Sequence, residues 1–193
     1  MRITGGTHRS RVLVAPSGAS TRPTSDRVRE ALFGLLAAAG HLEGARVLDL
    51  YAGTGALALE ALSRGAAHAT LLEWSPHALA ALRANVKALG LETRTQVLQA
   101  DVGKARRRLA PSGPFDLVFA DPPWALVESG DAPRALADLI KLPILAPSSL
   151  VVLEHSARTE APLIAGLALD QTRRYGDTAL AVYKPAILAS PRP

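Results

Sequence analysis

The chain has 193 residues and a formal net charge of +5, from 22 Lys and Arg against 17 Asp and Glu. This length supports one sizeable hydrophobic core, so we expect one α/β domain rather than two full domains. The sequence contains no cysteine, which excludes disulfides and cysteine-ligated metal sites. It shows no apolar run of membrane-spanning length and no charged-then-apolar leader, so we expect a soluble, cytoplasmic protein that does not contact a membrane.

The positive charge is concentrated in the first 30 residues, where six arginines face only Asp26 and Glu30. Residues 1–22 predict two short strands around a glycine turn, which form a basic β-hairpin arm. Such a cluster favours an anionic partner such as nucleic acid, although a solubilising surface explains the charge equally well. The predicted nucleic-acid-binding residues are Arg2, Arg9, Arg11, Arg22 and Arg27.

A helix is predicted after this arm, with Thr24 or Ser25 as its N-cap. Its apolar residues recur at the spacing of one buried helical face. Arg27, Arg29 and Glu30 lie outside that face. The predicted buried positions are Val28, Ala31, Leu32, Leu35, Leu36 and Ala39.

Residues 46–55 predict a buried strand that runs through a glycine turn into a helix over 56–64. Gly53 and Gly55 leave no Cβ, so a ligand can approach the backbone and the free N–H groups at the helix start. Asp49 lies at the carboxyl end of the strand, facing that ligand. The pattern also fits the dinucleotide fingerprint, so this stretch predicts a nucleotide cofactor without identifying it.

Two further strands, over 69–73 and 96–101, end in the carboxylates Glu73 and Asp101. Such acids at the carboxyl edge of a parallel sheet commonly bind ligands, and an acid at the position of Glu73 can bind ribose hydroxyls. Residues 104–108 carry a basic run, for which a solvated face is the default interpretation and RNA contact is the alternative.

The rest of the chain completes an alternating pattern of strands and helices. A fourth strand is predicted over 115–120, a helix around 133–142, a fifth strand over 150–154, and a hairpin of 167–175 with 178–183 that turns at Gly176-Asp177. This order predicts a parallel sheet closed by an antiparallel hairpin, with a disordered tail over 185–193.

The fourth strand runs directly into Asp121-Pro122-Pro123-Trp124. The two prolines hold Asp121 and Pro122 extended, so a carboxylate and the Pro122 carbonyl become neighbouring acceptors beside the aromatic ring of Trp124. Two acceptors and a flat platform suit a planar amino group. Hydrogen bonds to both of its protons would aim the nitrogen lone pair at an electrophile.

These motifs resemble those of class I S-adenosylmethionine-dependent methyltransferases that act on amino groups, whose signature is Asp/Asn-Pro-Pro-Tyr/Phe/Trp. More narrowly, the sequence resembles the RsmD family of 16S ribosomal RNA guanine-N2 methyltransferases over nearly the whole chain. The segments that carry this resemblance are residues 2–6, 21–33, 49–55, 59–66 and 121–124.

The resemblance implies a Rossmann-like class I methyltransferase fold, in which residues 23–184 form a mostly parallel seven-stranded sheet with a C-terminal antiparallel hairpin. It implies S-adenosyl-L-methionine as cofactor and, as partner, 16S rRNA within a 30S subunit or an assembly intermediate. We expect a monomer that uses no metal. The residues expected to bind the cofactor are Asp49, Tyr51, Gly53, Gly55, Glu73, Asp101 and Val102.

The resemblance also implies roles for single residues. Asp49, Gly53 and Gly55 would lie along the methionine part, Glu73 would bind the ribose, and Asp101 would bind the adenine amino group with Val102 nearby. Asp121 and Pro122 would hold the guanine amino group, with Trp124 stacked on the base. The expected reaction is direct in-line methyl transfer without a covalent intermediate, while Glu154 and His155 are expected to be structural. The residues expected to be catalytic are Asp121, Pro122, Pro123 and Trp124.

Three other functions compete with this one. A DNA adenine-N6 methyltransferase uses the same acceptors, but it is expected to carry a target-recognition domain that 193 residues barely accommodate. A nicotinamide dehydrogenase explains the glycines and leaves Asp121 to Trp124 without a role. A non-catalytic RNA-binding module explains the arginines and leaves the three strand-end acids unexplained.

Overall fold

The computed structural model describes residues 1–16 and 25–186 and is organised around one seven-stranded sheet. Its strands are β1 (Arg46–Asp49), β2 (His68–Glu73), β3 (Thr95–Gln99), β4 (Phe115–Ala120), β5 (Leu145–Ser156), β6 (Leu167–Tyr175) and β7 (Thr178–Pro185). The strand order is β3-β2-β1-β4-β5-β7-β6. Strands β1 to β5 are parallel, and β7 is antiparallel to both of its neighbours. This topology confirms the predicted fold, including the closing hairpin.

Helices cover both faces of the sheet. They are α1 (Asp26–Ala38), α2 (Ala56–Ser63), α3 (Pro76–Ala88), α4 (Arg106–Leu109), α5 (Trp124–Glu128) and α6 (Asp131–Leu139), with 3-10 turns at Gly6–His8, Glu92–Arg94 and Val102–Lys104. Residues from α1, α2 and α3 form one hydrophobic core, and residues from α4, α5 and α6 form the other. Because side chains alternate along a strand, Val47 of β1 joins the first core and Leu48 the second.

The strand order reverses between β1 and β4, and the predicted site lies at this point. The register pairs Asp49, the last residue of β1, with Phe119 of β4. Asp121 follows β4 immediately beyond that pair. In open α/β sheets, the crevice at such a reversal is where ligands bind.

Helix α1 buries a residue that the sequence pattern places outside its apolar face. Ser25 caps the helix as predicted, accepting a hydrogen bond from the Val28 N–H at 3.2 Å, whereas Thr24 lies outside the described residues. The prediction for Arg29 is wrong, since its side chain is fully buried. Its guanidinium donates hydrogen bonds to the Arg2 carbonyl and, at 2.8 Å, to the Asp26 carboxylate. These acceptors compensate the cost of burying the charge.

The N-terminal segment packs on α2. Within residues 1–16 of this segment, the two predicted strands are represented by one antiparallel bridge, between Arg2 and Val12. Glu60, which is fully buried, accepts the Thr4 N–H at 2.7 Å and the Thr4 hydroxyl at 2.8 Å. Ile3 is buried as well, so hydrogen bonds and apolar contact both attach this segment to the main sheet domain.

Some sequence predictions fall outside the described residues, namely Arg22 and most of the C-terminal tail. Strand β7 includes Pro185, where the sequence places the start of the tail, and residues 187–193 are not described. Within residues 1–16 and 25–186, no helix combines the length and hydrophobicity needed to cross a membrane. The same residues contain no group of three or more His, Cys, Asp or Glu side chains placed to hold a metal ion.

Candidate active site

The two glycines after β1 serve different purposes. Gly55 is the N-cap of α2 at φ +84°, and a Cβ there would lie 2.5 Å from Cδ1 of Leu82. Close packing therefore requires this glycine. Gly53 has φ +54°, and the nearest atom to an added Cβ would be the Tyr51 carbonyl oxygen at 4.0 Å. The space beside Gly53 is open, as a ligand approaching the backbone needs.

Glu73 links the end of β2 to the glycine turn. One of its oxygens accepts the Gly53 N–H at 2.8 Å, and the other accepts the Ser75 N–H at 2.7 Å. Each carboxylate oxygen has a second lone pair, so Glu73 can still accept hydrogen bonds from a ligand. The sequence predicts a ligand-binding acid at this position but gives no sign that it also fixes the loop.

Asp49 is a buried carboxylate with unusual electrostatics. Its side chain is 1% exposed, and neither oxygen has a hydrogen-bond partner among the described residues. Burial raises the pKa of Asp49 to about 7, and the negative charge of Asp121 adds to that shift. The backbone N–H groups of Ala58 and Tyr51 point toward the carboxylate closely enough to oppose the shift, although neither meets hydrogen-bond geometry, and Glu73 contributes a smaller increase. A cationic group placed beside Asp49 would stabilise its charged form.

Three other residues predicted to bind a cofactor lie along the same edge. Burial raises the pKa of the half-buried Tyr51 to about 12, and the charges of Asp101 and Asp131 act in the same direction. Asp101 is exposed just beyond β3, and Val102 is buried beside it. The acids at the ends of β1, β2 and β3 are Asp49, Glu73 and Asp101. They lie on the β1 side of the point where the strand order reverses.

Sequence reasoning missed Trp74, which directly follows Glu73. Its side chain is 66% exposed, so a large aromatic surface lies next to the acid that anchors the glycine turn. An exposed aromatic ring at this place could stack on a flat group of a ligand. The sequence signal that could have identified Trp74 is its position immediately after the strand-end acid Glu73.

Residues 121–124 form an extended turn that leads into a short helix. Pro122 is buried, and Pro123 is extended at φ −48° and ψ 130°. The carbonyl of Pro122 accepts no hydrogen bond from a backbone N–H of the described residues. Its lone pairs are therefore not used by a backbone donor of these residues. Trp124 is the first residue of α5, which fixes its position more firmly than the predicted loop would.

A small cavity lies beside Asp121, between β4, β5 and β7 and the helices α1 and α2. Its lining combines two carboxylates with hydrocarbon. Glu154, expected from the sequence to be structural, is one of them and is 7% exposed. His155 faces the other way, with Nδ1 2.9 Å from the Ser156 carbonyl, and has a structural position. The lining residues are Leu32, Leu57, Phe119, Ala120, Asp121, Val152, Glu154 and Leu180.

The arginines predicted to bind nucleic acid are largely on the surface. Arg2 is 65% exposed and lies 3.6 Å from the Asp26 carboxylate. Arg9 and Arg27 are exposed, and Arg11 donates to the Ala88 carbonyl at 2.8 Å. The described members of the set thus lie on the N-terminal segment and at the start of α1.

Comparison with known proteins places the chain in a family of similar sequence and structure. A family model described as Conserved hypothetical protein 95 matches residues 1–184. The Escherichia coli (strain K12) protein named Ribosomal RNA small subunit methyltransferase D is 36% identical over 186 residues, covering 95% of this chain and 89% of its own. YlbH of Bacillus subtilis (strain 168) is 35% identical over 187 residues, covering 95% and 98%. The solved structure of a hypothetical protein from Thermus thermophilus matches with a TM-score of 0.78 at 32% identity, over 94% of this chain and 98% of that one.

Proposed function

This chain belongs to the RsmD family, described as Conserved hypothetical protein 95, and on that premise we propose that it methylates N2 of a guanine in 16S ribosomal RNA. Membership makes it an S-adenosylmethionine-dependent rRNA methyltransferase. The observation that supports the choice of an amino group is the position of Asp121 and Pro122. Both follow β4 at the sheet reversal, one strand away from the glycine turn.

The crevice fits S-adenosylmethionine because it holds a buried acid without a partner. No donor among the described residues reaches Asp49 with hydrogen-bond geometry, and the α-ammonium group of the cofactor would supply one. Glu73 would accept the ribose hydroxyls, Asp101 would bind the adenine amino group beside Val102, and Trp74 offers an exposed ring to the adenine. When bound, S-adenosylmethionine supplies an electrophilic methyl group on a positively charged sulfur.

The acceptor side of the site would position the amino group of guanine. The Asp121 carboxylate and the Pro122 carbonyl would each accept one N2 proton, while Trp124 stacks on the base. These hydrogen bonds favour a pyramidal nitrogen whose lone pair points across the sheet edge. Asp121 or water then takes the proton that N2 loses. Catalysis by this arrangement comes from positioning and charge stabilisation.

The RNA would be gripped by the basic N-terminal segment. Arg2, Arg9, Arg11 and Arg27 would neutralise phosphates, while the target base leaves its stack to enter the pocket. The predicted contact from Arg22 belongs to the same proposal. We propose a monomer that acts in the cytoplasm on 16S rRNA within a 30S subunit or an assembly intermediate.

Transfer of labelled methyl groups tests this function. Small ribosomal subunits lacking the modification, protein-free 16S rRNA and double-stranded DNA are offered separately to the protein. We expect label in RNA and none in DNA. Asp121→Ala should abolish most transfer, while Asp138→Ala, which removes an exposed aspartate paired with Lys141, should leave the rate unchanged. Transfer into DNA alone would contradict the proposal and support the adenine-N6 alternative.

A further inference from the structure

We propose that Asn85 of α3 is a positioning residue that couples RNA binding by the N-terminal segment to cofactor binding at the glycine turn. Its side-chain amide contacts both regions at once. The inference rests on the proposed function, which assigns the cofactor to the turn and RNA phosphates to the arginines of the segment. It adds a physical connection between these two binding sites.

The side chain of Asn85 is 1% exposed and uses both ends of its amide. Oδ1 accepts the Val14 N–H at 2.7 Å, while Nδ2 donates to the Val14 carbonyl and to the Thr54 carbonyl, each at 3.0 Å. Thr54 lies between the two glycines of the turn. The Thr54 hydroxyl also lies 3.6 Å from the Met1 sulfur, which is a second contact between the same two regions. One buried side chain therefore joins the N-terminal segment to the turn.

A primary amide at position 85 suits this set of partners. The two carbonyls need donors and the Val14 N–H needs an acceptor, and an amide supplies two donors and an acceptor in one planar group. A carboxylate there would face two carbonyl oxygens with no proton to donate. An apolar side chain would leave three backbone groups without their partner. The connection therefore depends on the chemistry of this one residue.

The N-terminal segment is also attached to the domain at a place that does not touch the turn. Ser63, the last residue of α2, accepts the His8 N–H at 2.9 Å and donates to the Gly5 carbonyl at 2.6 Å. The glycine turn lies at the opposite end of the same helix. The segment can therefore stay docked through Ser63 when its connection to the turn is lost.

The hydrogen bonds of Asn85 make the two binding events depend on each other through two states, one with the connection made and one with it broken. RNA that holds the segment in its docked position favours the first state, and with it the observed position of Thr54. A cofactor that fits the turn in this position then binds more tightly. Because such coupling is reciprocal, the bound cofactor raises RNA affinity by the same factor.

RNA binding by the wild-type protein tests this coupling without any variant. Co-sedimentation with small ribosomal subunits that lack the modification gives the affinity with and without saturating S-adenosylhomocysteine, and the ratio of the two is the coupling factor. S-adenosylhomocysteine should tighten binding by about 2- to 10-fold, the range for one net hydrogen bond. Equal or weaker binding would overturn the inference and leave the proposed function intact. Failure to bind either the subunits or S-adenosylhomocysteine would instead contradict the proposed function, and this inference with it.

Asn85→Ala distinguishes the connection through Asn85 from direct contact between the two ligands. The variant should bind subunits equally with and without S-adenosylhomocysteine, and calorimetry confirms that it still binds this ligand. Asn85→Asp keeps the shape and the acceptor for the Val14 N–H but loses both donors, so it should lose the coupling as well. Circular dichroism shows whether each variant is folded. A folded variant of either kind with the wild-type coupling factor would overturn the inference.

Ser63→Ala is the matched control. It removes two hydrogen bonds of the same segment at the end of α2 that lies away from the turn, so it should keep the wild-type coupling factor even if RNA affinity falls. Loss of coupling in this variant too would show that general docking of the segment, and not the Asn85 amide, connects the two sites. That result would overturn the role proposed for Asn85.

Discussion

On the β1–β2 side of the crevice, backbone N–H groups of Gly53 and Ser75 bind the carboxylate of Glu73. On the β4–β5 side, the carboxylates of Asp121 and Glu154 line a cavity of hydrocarbon. The first arrangement ties the acid proposed to bind the ribose into the main-chain structure, whereas the second brings two acids together at the ends of neighbouring strands. Substitutions on the first side should therefore change stability and cofactor affinity together, and those on the second side should change the reaction alone.

Asp121→Asn is expected to give the largest difference between the effect on reaction rate and the effect on cofactor affinity. The amide retains the shape of the side chain but loses the charge that holds an N2 proton, so kcat/KM should fall by at least about 100-fold. Affinity for S-adenosylhomocysteine should stay the same or rise, because the charge of Asp121 helps to raise the pKa of Asp49. Steady-state kinetics and calorimetry measure the two quantities. Equal losses of rate and cofactor affinity would show that the two sides do not act separately.

The two glycines of the turn should respond differently to substitution. Gly55 is needed for packing, and Gly53 is proposed to leave room for the cofactor. Gly55→Ala should lower the free energy of unfolding by about 2–4 kcal/mol, because its Cβ would clash with Leu82 and its φ is positive. Gly53→Ala incurs only the conformational cost, about 1–2 kcal/mol, but places a methyl group where the ligand approaches. Urea unfolding and S-adenosylhomocysteine calorimetry compare them. A Gly53→Ala protein with wild-type cofactor affinity would contradict the binding role.

Asp49→Asn should stabilise the protein at alkaline pH and weaken cofactor binding. The folded-state pKa of Asp49 is about 7, above the value of 3.8 for a free side chain, so its contribution to stability is full below pH 3.8 and is lost as pH rises to about 7. The loss amounts to at most about 4 kcal/mol. Asparagine stays neutral and avoids it.

Denaturant unfolding at two pH values checks this sign. The advantage of Asp49→Asn over the wild-type protein should be largest at pH 8 and should shrink by up to about 2 kcal/mol at pH 5.5. Binding of S-adenosylhomocysteine to the wild-type protein near pH 7 should release protons, which calorimetry in buffers of different ionisation enthalpy detects. A variant less stable than the wild-type protein at pH 8 would contradict the account of Asp49.

The smallest effect concerns the surface proposed to bind RNA. Replacing Arg9 and Arg11 by Ala should reduce the slope of log binding constant against log salt by about 1–2, since each phosphate contact contributes about 0.9 for duplex and 0.7 for single strands. Arg173→Ala on β6, at the far edge of the sheet, should leave the slope unchanged. Filter binding over a range of salt concentrations measures it. An unchanged slope in the Arg9 and Arg11 variant would remove this segment from the phosphate contacts.

The sequence predicts the sheet well because its signals are local. Residues 115–120 are apolar except for Asp116, and the hairpin turns at Gly176-Asp177, so both are found with almost the observed bounds. Helical spacing places Arg29 outside the buried face. Its side chain is buried because it donates hydrogen bonds to the Arg2 carbonyl and the Asp26 carboxylate, and helical spacing carries no information about the contact with Arg2.

The site shows the same limit. Asp49, Glu73 and Asp121 are each recognisable at a strand end, but the hydrogen bond from Gly53 to Glu73 joins residues 20 positions apart. The proximity of Glu154 to Asp121 depends on the pairing of β4 with β5, which no local pattern reveals. Trp74 was visible in the sequence, whereas its exposure depends on how β2 ends. Local chemistry identifies single groups, and the strand order determines which of them act together.

Identification of the methylated nucleoside directly tests the proposal that the protein methylates N2 of guanine. Small subunits lacking the modification are treated with the wild-type protein and S-adenosylmethionine, and the 16S rRNA is digested to nucleosides for mass spectrometry. We expect N2-methylguanosine at a single position, in an amount that approaches one per subunit. Methyladenosine, or a guanosine methylated at a ring nitrogen, would contradict the assignment of Asp121 and Pro122 to the guanine amino group.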